Sequence, residues 1–298
     1  MISLIICSRE PEISRTLKDN ISETIGVDYE LIVIDNSNNQ YSIFSAYNEG
    51  VRRAKYPYLC FMHDDILYYT SNWGEKVIEH FQNENVGLIG VFGSHILSNY
   101  PFPYWSTKCL SYNIIQRKTC DTGEFIHEHV KINTYLENKD SNSIEVAAID
   151  GFWFCMLKKM FDGNLKFDEE LFSGFHAYDM DISLQVIKTG FQVVVVFDIL
   201  IEHFSLGKMN VEFKQSLEKF CKKHEAVLPI HRGTNLSESE IKIRYDFVNQ
   251  YYDVHNLYHF LLNEKNEILN SKTFRLGEFL LRPFYGIHNR IKNYILHN

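Results

Sequence analysis

His63-Asp64-Asp65 follows directly on the apolar run YLCFM at 58–62. Paired carboxylates at the end of a buried strand supply hard oxygen ligands, which suit Mg2+ or Mn2+ bridging to a diphosphate. Taken alone, the dyad reads as a solvated turn or as a helix cap before Ile66, and its position at a strand end shifts the balance toward a metal site. Two other strand ends carry polar groups: Ser8-Arg9 after ISLIIC, and Asp35-Asn36 after ELIVI. Asp35 also has the form of an Asx-turn residue before Asn36-Ser37. Further along, Asp179 and Asp181 in FHAYDMDIS open a helical stretch with apolar positions at Ile182, Val186 and Ile187. Acids in a first turn favour the helix dipole whatever else they do. No strand is followed by the glycine pattern of a dinucleotide site or of a phosphate-binding loop. An anionic ligand would therefore need a metal.

Such residues act together only if the elements before them end at one edge. Residues 2–7 predict a strand, and Ile13, Leu17, Ile21 and Ile25 a helix across about 11–24. The unit repeats with a strand at 30–34 and a helix carrying Ile43, Ala46, Tyr47, Gly50, Val51 and Ala54. It repeats again with a strand at 58–62, a helix around 73–81 and GLIGVF at 87–92. This alternation predicts an α/β fold whose mainly parallel sheet is flanked by helices joined in right-handed crossovers. In open sheets of this kind ligands lie beyond the carboxyl ends of the strands.

Residues 98–145 break the alternation and read as an insertion containing a hairpin turned at Asp121-Thr122-Gly123. The sheet resumes with VAAID, GFWFCML, a helix at 179–189 stopped by Gly190, and FQVVVVF at 191–197. From Lys208 onward the pattern is helical, with Phe213, Leu217, Phe220 and Cys221 on one face. These divisions give a first domain at 1–210 and a helical C-terminal extension at 211–298.

The chain has 298 residues, 45% of them hydrophobic and 23% charged, enough for one large domain or two unequal ones. Its net charge of -8 argues against general nucleic-acid binding. Six cysteines show no C-x-x-C pairing, and Cys7, Cys60 and Cys155 sit inside apolar runs, as buried thiols do in a reducing compartment. The first apolar run is too short for a signal peptide or a span, so the sequence predicts a cytoplasmic protein. His127-Glu128-His129 resembles a metal H-x-H, but strand alternation puts His127, His129 and Lys131 on one face, predicted to be solvated. The tail carries Lys272, Arg275, Arg282, Arg290 and Lys292 against one acid, Glu278, with Phe274, Phe279, Phe284 and Tyr285 interleaved. It fits either a helix lying at a membrane interface or one packed on the first domain, and Pro283 and Gly286 interrupt it.

In order, the segments LIICSR, LIVIDNS, AYNEGVRRA, YLCFMHDD, GLIGVFGS, IDGFWF, FDEELFSGFHAYDMDISLQVIKTGF and IEHFSLG span residues 1–210. Their succession resembles the family 2 type glycosyltransferases of the GT-A fold, more narrowly a bacterial glycosyltransferase-like subfamily. The resemblance implies metal-dependent, inverting transfer from a nucleotide-sugar, UDP-linked, to a hydroxyl of a saccharide or lipid-linked saccharide in surface polysaccharide assembly. It places Ser8, Arg9 and Asp35 at the base and ribose, and Asn48 in the helix lining the donor pocket. Asp65 takes the last position of the metal-binding D-x-D-like motif, with Asp64 beside it, His63 in place of its first acid, and His203 completing the Mn2+ or Mg2+ shell. Asp179 aligns with the general base, Tyr178 replaces the usual Glu before it, and Asp181 plays a supporting part. Asp150, Gly151 and Trp153 lie beneath the donor sugar and acceptor, with Trp105 as a further aromatic face, and His176 contacts acceptor or donor phosphate.

Three other readings compete. A sugar nucleotidyltransferase would need a glycine-rich, Arg-containing loop after ISLIIC, which is absent. An HD-type phosphohydrolase would need His63-Asp64 on a helix. A non-catalytic scaffold that binds a nucleotide-sugar has Tyr178 as its main argument.

Overall fold

Ser14 accepts a hydrogen bond from the Leu17 amide and so caps the first helix, which turns Leu17 and Ile21 inward. Ser42 does the same for the second through the Ser45 amide, and Asn210 for a later one through Phe213. Described in the computed structural model are residues 1–119, 125–133, 141–163, 165–205, 210–271 and 275. The turn predicted at Asp121-Thr122-Gly123 and, apart from Arg275, the basic tail lie outside them.

In chain order the elements are β1 (Ile2–Ser8), α1 (Arg15–Thr24), β2 (Tyr29–Asp35), α2 (Ile43–Arg53), β3 (Tyr58–Met62), β4 (Ile66–Tyr68), α3 (Trp73–His80), β5 (Val86–Gly90), β6 (Phe92–Ser94), β7 (Ile96–Leu97), β8 (Leu110–Thr119) and β9 (Phe125–Ile132). They continue with β10 (Ser143–Glu145), β11 (Ala148–Ile149), β12 (Trp153–Leu157), α4 (Tyr178–Lys188), β13 (Gln192–Val196), β14 (Ile201–His203), α5 (Val211–Lys223), β15 (Ile230–His231) and α6 (Glu238–Asn270). The predicted 87–92 strand is divided. At Val91, whose carbonyl accepts from the Asn113 amide, the chain leaves one sheet for another.

The central sheet has the order β10-β13-β5-β12-β3-β1-β2. β1 pairs in parallel with β2 and β3, and β13 with β5. β12 runs antiparallel between β3 and β5, and β10 is antiparallel at the edge. The sheet is therefore mixed. Along β1, Leu4 and Ile6 join the core beneath α1 and α3, while Ile5 joins the core beneath α2, α4 and α5. Burial on both faces explains why the run is apolar throughout instead of alternating.

Register aligns the strand ends: Ser8 pairs with Asp35, and Ile6 with Met62, the residue before His63. A second sheet, in the order β11-β6-β8-β14-β4 with β9 on β8, brings the far end of the chain to the same edge. Within it His203 is the register partner of Ile66. Asp65 and His203, 138 residues apart in sequence, thus become neighbours.

Two compact units emerge, Met1–Val248 and Asn249–Asn298. The first includes α5, whose Leu217 and Phe220 are 2% exposed and join the main core. The helical stretch that the sequence sets apart from residue 211 therefore begins inside this unit. Described in the second is the remainder of α6. Among the described residues no helix is long and apolar enough to cross a membrane.

Candidate active site

Three side chains converge where β3 and β14 end. Asp65 Oδ1 lies 3.6 Å from His203 Nε2 and 3.7 Å from His63 Nδ1. One ligand atom from each residue falls within 4.8 Å of the others, the only such cluster among the described residues. The spacing suits donors that close on one cation at bond lengths of roughly 2.0–2.2 Å. Burial opposes ionisation of Asp65, but the polar groups of His203 and Ser205 and the nearby imidazoles outweigh it, so its carboxyl is held well below the ordinary range. Burial, then the charge of His203, pushes His63 down, against the pull of Asp65, Asp150 and Asp64. The donor set is thus an anionic carboxylate with a neutral imidazole beside it, the protonation states in which these groups bind a metal.

Asp64 turns away from this cluster. Its Oδ2 accepts from Ser8 Oγ at 2.9 Å, which ties the ends of β1 and β3 together. The sequence expectation of Asp64 in the metal shell gives way to His63, whose other nitrogen, Nε2, sits 2.9 Å from the Tyr178 hydroxyl. Adjacent residues leave a strand end in different directions, and the turn after Met62 sends Asp64 toward β1.

Next to the cluster a cleft is lined by His63, Tyr104, Trp105, Asp150, Gly151, Phe175, His176, Tyr178, Asp179, Phe213 and Leu217. Half-buried Asp179 lies in it at the first turn of α4. Its burial, then the charge of Asp150, pushes its carboxyl up to about 7, despite a hydrogen bond from the Met180 amide to its Oδ1. A carboxylate poised near neutrality is suited to taking a proton from a hydroxyl. Asp150 is in turn held by the Tyr104 hydroxyl at 2.5 Å and by the Phe152 amide. Burial and the Asp150 charge push the Tyr104 phenol well up, so it stays a donor.

The outer wall combines Trp105, stacked on Phe213 of α5 at 5.9 Å, with His176 edge-on to the same ring at 5.2 Å. Phe213 and Leu217 were legible as one apolar face, but not as a wall of the cleft, because what α5 packs against is non-local. Burial pushes His176 down, against the charge of Glu212.

Gly151 is the residue the site can least change. A Cβ there would come within 2.3 Å of the Tyr178 ring and hydroxyl. That ring has Tyr47 and Phe44 on its other sides, at 5.6 and 6.3 Å. Gly151→Ala is expected to cost roughly 1–3 kcal/mol of stability as the ring is forced off its rotamer, read as a lowered midpoint in chemical denaturation.

The remaining predicted residues are distributed as follows. Arg9 is exposed beside Ser8, and Asp35 closes an Asx turn with the Ser37 amide, which holds its carboxyl below the ordinary range. Asn48 is committed elsewhere: its amide donates to Phe167 O and Glu169 and accepts from Phe167 N, tying α2 to the 165–169 segment. Trp153 is fully buried, donates to the Tyr68 hydroxyl and meets Trp73 edge-on, so it is core and not a sugar platform. Its alternation along β12 points it to the face opposite Phe154.

Asp181 also leaves the cleft. It is 1% exposed, and its carboxylate accepts from His224 Nε2, Lys223 Nζ and Gln185 Nε2, each at 2.7 Å. Lying two residues after Asp179, it is about 200° around the helix and faces α5. Asp181→Asn is expected to lower stability by about 2 kcal/mol, through loss of charge-assisted hydrogen bonds, while nucleotide binding is unchanged; urea titration and calorimetry check the two halves. His127, His129 and Lys131 are exposed, as strand alternation predicts, and on that face His127 and His129 also bond to Glu202 and Asn113 while Lys131 lies over the Phe197 ring.

A family described as glycosyltransferase-like matches residues 3–228 of the chain. No curated protein sequence matches it. Among solved structures, the mannosyltransferase PcManGT from Pyrobaculum calidifontis, in complex with GDP-Man and Mn2+, has 11% identity and a TM-score of 0.44, over 98% of this chain and 86% of that one. GalNAc-T7 with UDP, GalNAc and Mn2+ has 11% identity and a TM-score of 0.48, over 69% of this chain and 44% of that one, so the match spans less than half of the latter's length.

Proposed function

The chain belongs to the glycosyltransferase-like family, and from that membership we propose that it is a metal-dependent, inverting transferase of the GT-A kind. It moves a sugar from a nucleotide-sugar, UDP-linked as the first candidate, to a hydroxyl of a saccharide or lipid-linked saccharide used in surface polysaccharide assembly. A reducing, cytoplasmic setting is part of the proposal, and the free thiols of the register partners Cys60 and Cys155 support it.

The observation that carries the reading is the juxtaposition of two chemistries. His63 belongs both to the candidate metal cluster and to the lining of the cleft that contains Asp179. A sugar whose diphosphate lay at the cluster would present its anomeric carbon toward that cleft. In this reading Asp35, at the aligned end of β2, and exposed Arg9 face the nucleoside, with the buried Ser8 hydroxyl held by Asp64 behind them.

In the proposed reaction the acceptor hydroxyl approaches Asp179, which removes its proton as the new bond to the anomeric carbon forms. Attack from the side opposite the diphosphate inverts the configuration. Asp150, fixed by Tyr104, faces Asp179 and keeps its carboxyl basic enough for the task. His63, Asp65 and His203 would hold the divalent cation, which when bound neutralises the departing diphosphate. The walls formed by Trp105, Phe213 and His176 present ring faces and edges to the C–H surfaces of the acceptor sugar.

Tyr178, the main argument for a non-catalytic scaffold, bonds to the metal-side His63 and supports the catalytic reading instead. Calorimetry with UDP, GDP, CDP and dTDP, each with and without Mn2+, tests the proposal. Manganese-dependent binding of one nucleotide is expected. A folded protein that binds none of them overturns it.

A further inference from the structure

We infer that Tyr178 is a positioning residue of the metal centre: it orients His63 as a third ligand, and the resulting site of two imidazoles and one carboxylate selects a first-row transition cation over Mg2+. The inference rests on the cation site of the proposed function, but on neither the nucleotide nor the acceptor.

An imidazole binds a metal through one nitrogen, and the partner of the other nitrogen fixes which one is used and how the ring is turned. In His63 the geometry leaves Nδ1 as the nitrogen that faces the cluster. Nε2 is 2.9 Å from the Tyr178 hydroxyl, whereas Nδ1 points to Asp65 Oδ1 at 3.7 Å, too long for a hydrogen bond but suited to a shared cation. With its proton on Nε2, donated to the tyrosine oxygen, His63 offers the Nδ1 lone pair to the cluster.

Tyr178 can orient its neighbour because it is itself fixed. Its ring is 6% exposed, is packed edge-on to Tyr47, and has no free space on the Gly151 side. The backbone of His63 is anchored as well, donating from its amide to Phe152 O at 2.9 Å. Phe152 in addition stacks on His203, with ring centroids 4.6 Å apart and planes 11° from parallel. The Gly151-Phe152 segment thus backs the metal cluster: it leaves room for Tyr178, ties His63 and supports His203.

The donor set decides the cation. Mg2+ favours oxygen shells and retains its waters, whereas imidazole suits the transition metals. A site that takes two of its three protein donors from histidine should favour Mn2+ or Co2+.

The test uses full-length protein freed of metal by chelation and titrated with MnCl2, CoCl2 or MgCl2, alone and with each of UDP, GDP, CDP and dTDP. Bound Mn2+ is read by its electron paramagnetic resonance signal and Co2+ by its visible absorption band. In the wild type, Mn2+ and Co2+ are expected to bind and an equal concentration of Mg2+ to leave both signals in place. Tyr178→Phe, which retains the clamped ring, should weaken Mn2+ binding by about 10- to 100-fold and change the Co2+ band, with the metal-free melting midpoint little altered. His63→Asp should restore competition by Mg2+, and supplies the same test if Tyr178→Phe does not fold. Unchanged Mn2+ affinity in Tyr178→Phe, displacement of Mn2+ by equimolar Mg2+, or no binding of either transition ion overturns the inference. Metal binding sensitive to Tyr178 with no nucleotide bound would remove the transferase proposal and leave this one standing; nucleotide binding insensitive to Tyr178 would do the reverse.

Discussion

Asp179→Asn is expected to lower the rate of the proposed sugar transfer by about 10³-fold, because in that mechanism it removes the proton acceptor and leaves an isosteric amide in its place. Nucleotide affinity in the presence of Mn2+ stays close to wild type, since Asp179 lies in the cleft and outside the metal cluster. The pH profile makes the assignment specific. With the carboxyl pushed up to about 7, first by burial and then by Asp150, wild-type rate should rise with pH and level off above that value. The variant's residual rate should be flat across the same range. A variant as active as wild type, or a wild-type profile without a rise through neutrality, would remove Asp179 from the role.

The same substitution carries a second, opposite effect. A carboxyl whose folded-state pKa lies above its unfolded value binds its proton more tightly in the folded protein, so its stability contribution is present at low pH. That contribution is lost as pH rises from about 4 to about 7. Above neutrality the ionised Asp179 weakens the fold. Asp179→Asn should therefore be the more stable protein at pH 8, by about 2 kcal/mol once partial solvent access is allowed for, and should match wild type near pH 4. Denaturation at the two pH values checks the sign. An inactive variant that is also more stable separates a catalytic group from a structural one.

Asp65→Ala is the second large effect. It removes the one carboxylate from a cluster that otherwise contains His63 and His203. Two imidazoles hold a divalent cation much less well than two imidazoles and an anion. Manganese-dependent nucleotide affinity is expected to fall by about 100-fold, with rate falling alongside it. Metal-independent binding, if measurable, should hardly change. Calorimetry with and without Mn2+ separates the two components, and equal affinity in both proteins would place the cation elsewhere.

Much of this arrangement was legible in the sequence, because it depends on local pattern. Runs such as LIIC, ELIVI and YLCFM fix strands through burial on both faces, and the polar residues after each run fix the edge where ligands are received. The candidate metal cluster is a mixed case. The resemblance named Asp65 and His203, whereas His63 in the candidate cluster is held by Tyr178, 115 residues away, and no local signal specifies that contact. Asp181 shows the complementary limit. It shares a helix turn with Asp179 and has the same chemistry, and only the position of His224 and Lys223 on α5 reveals that it faces the other way. Asn48 and Trp153 were misplaced for a similar reason: both are polar or aromatic groups near the site whose hydrogen-bonding capacity is used up inside the fold.

The antiparallel β12 has a consequence for how the chain is made. Its residues, 153–157, separate β3 from β5, so those two strands never touch although they are among the first synthesised. Until residue 157 has left the ribosome, the facing edges of YLCFM and VGLIG have unpaired backbone groups flanked by wholly apolar side chains, the condition in which nascent chains recruit one another. The strand that closes this gap begins two residues after Gly151, directly behind the Gly151-Phe152 segment that backs the metal cluster. Protection from aggregation therefore comes before assembly of the site, since Tyr178, Asp179 and His203 follow later in the chain, and a ribosome that pauses near residue 150 leaves the gap open.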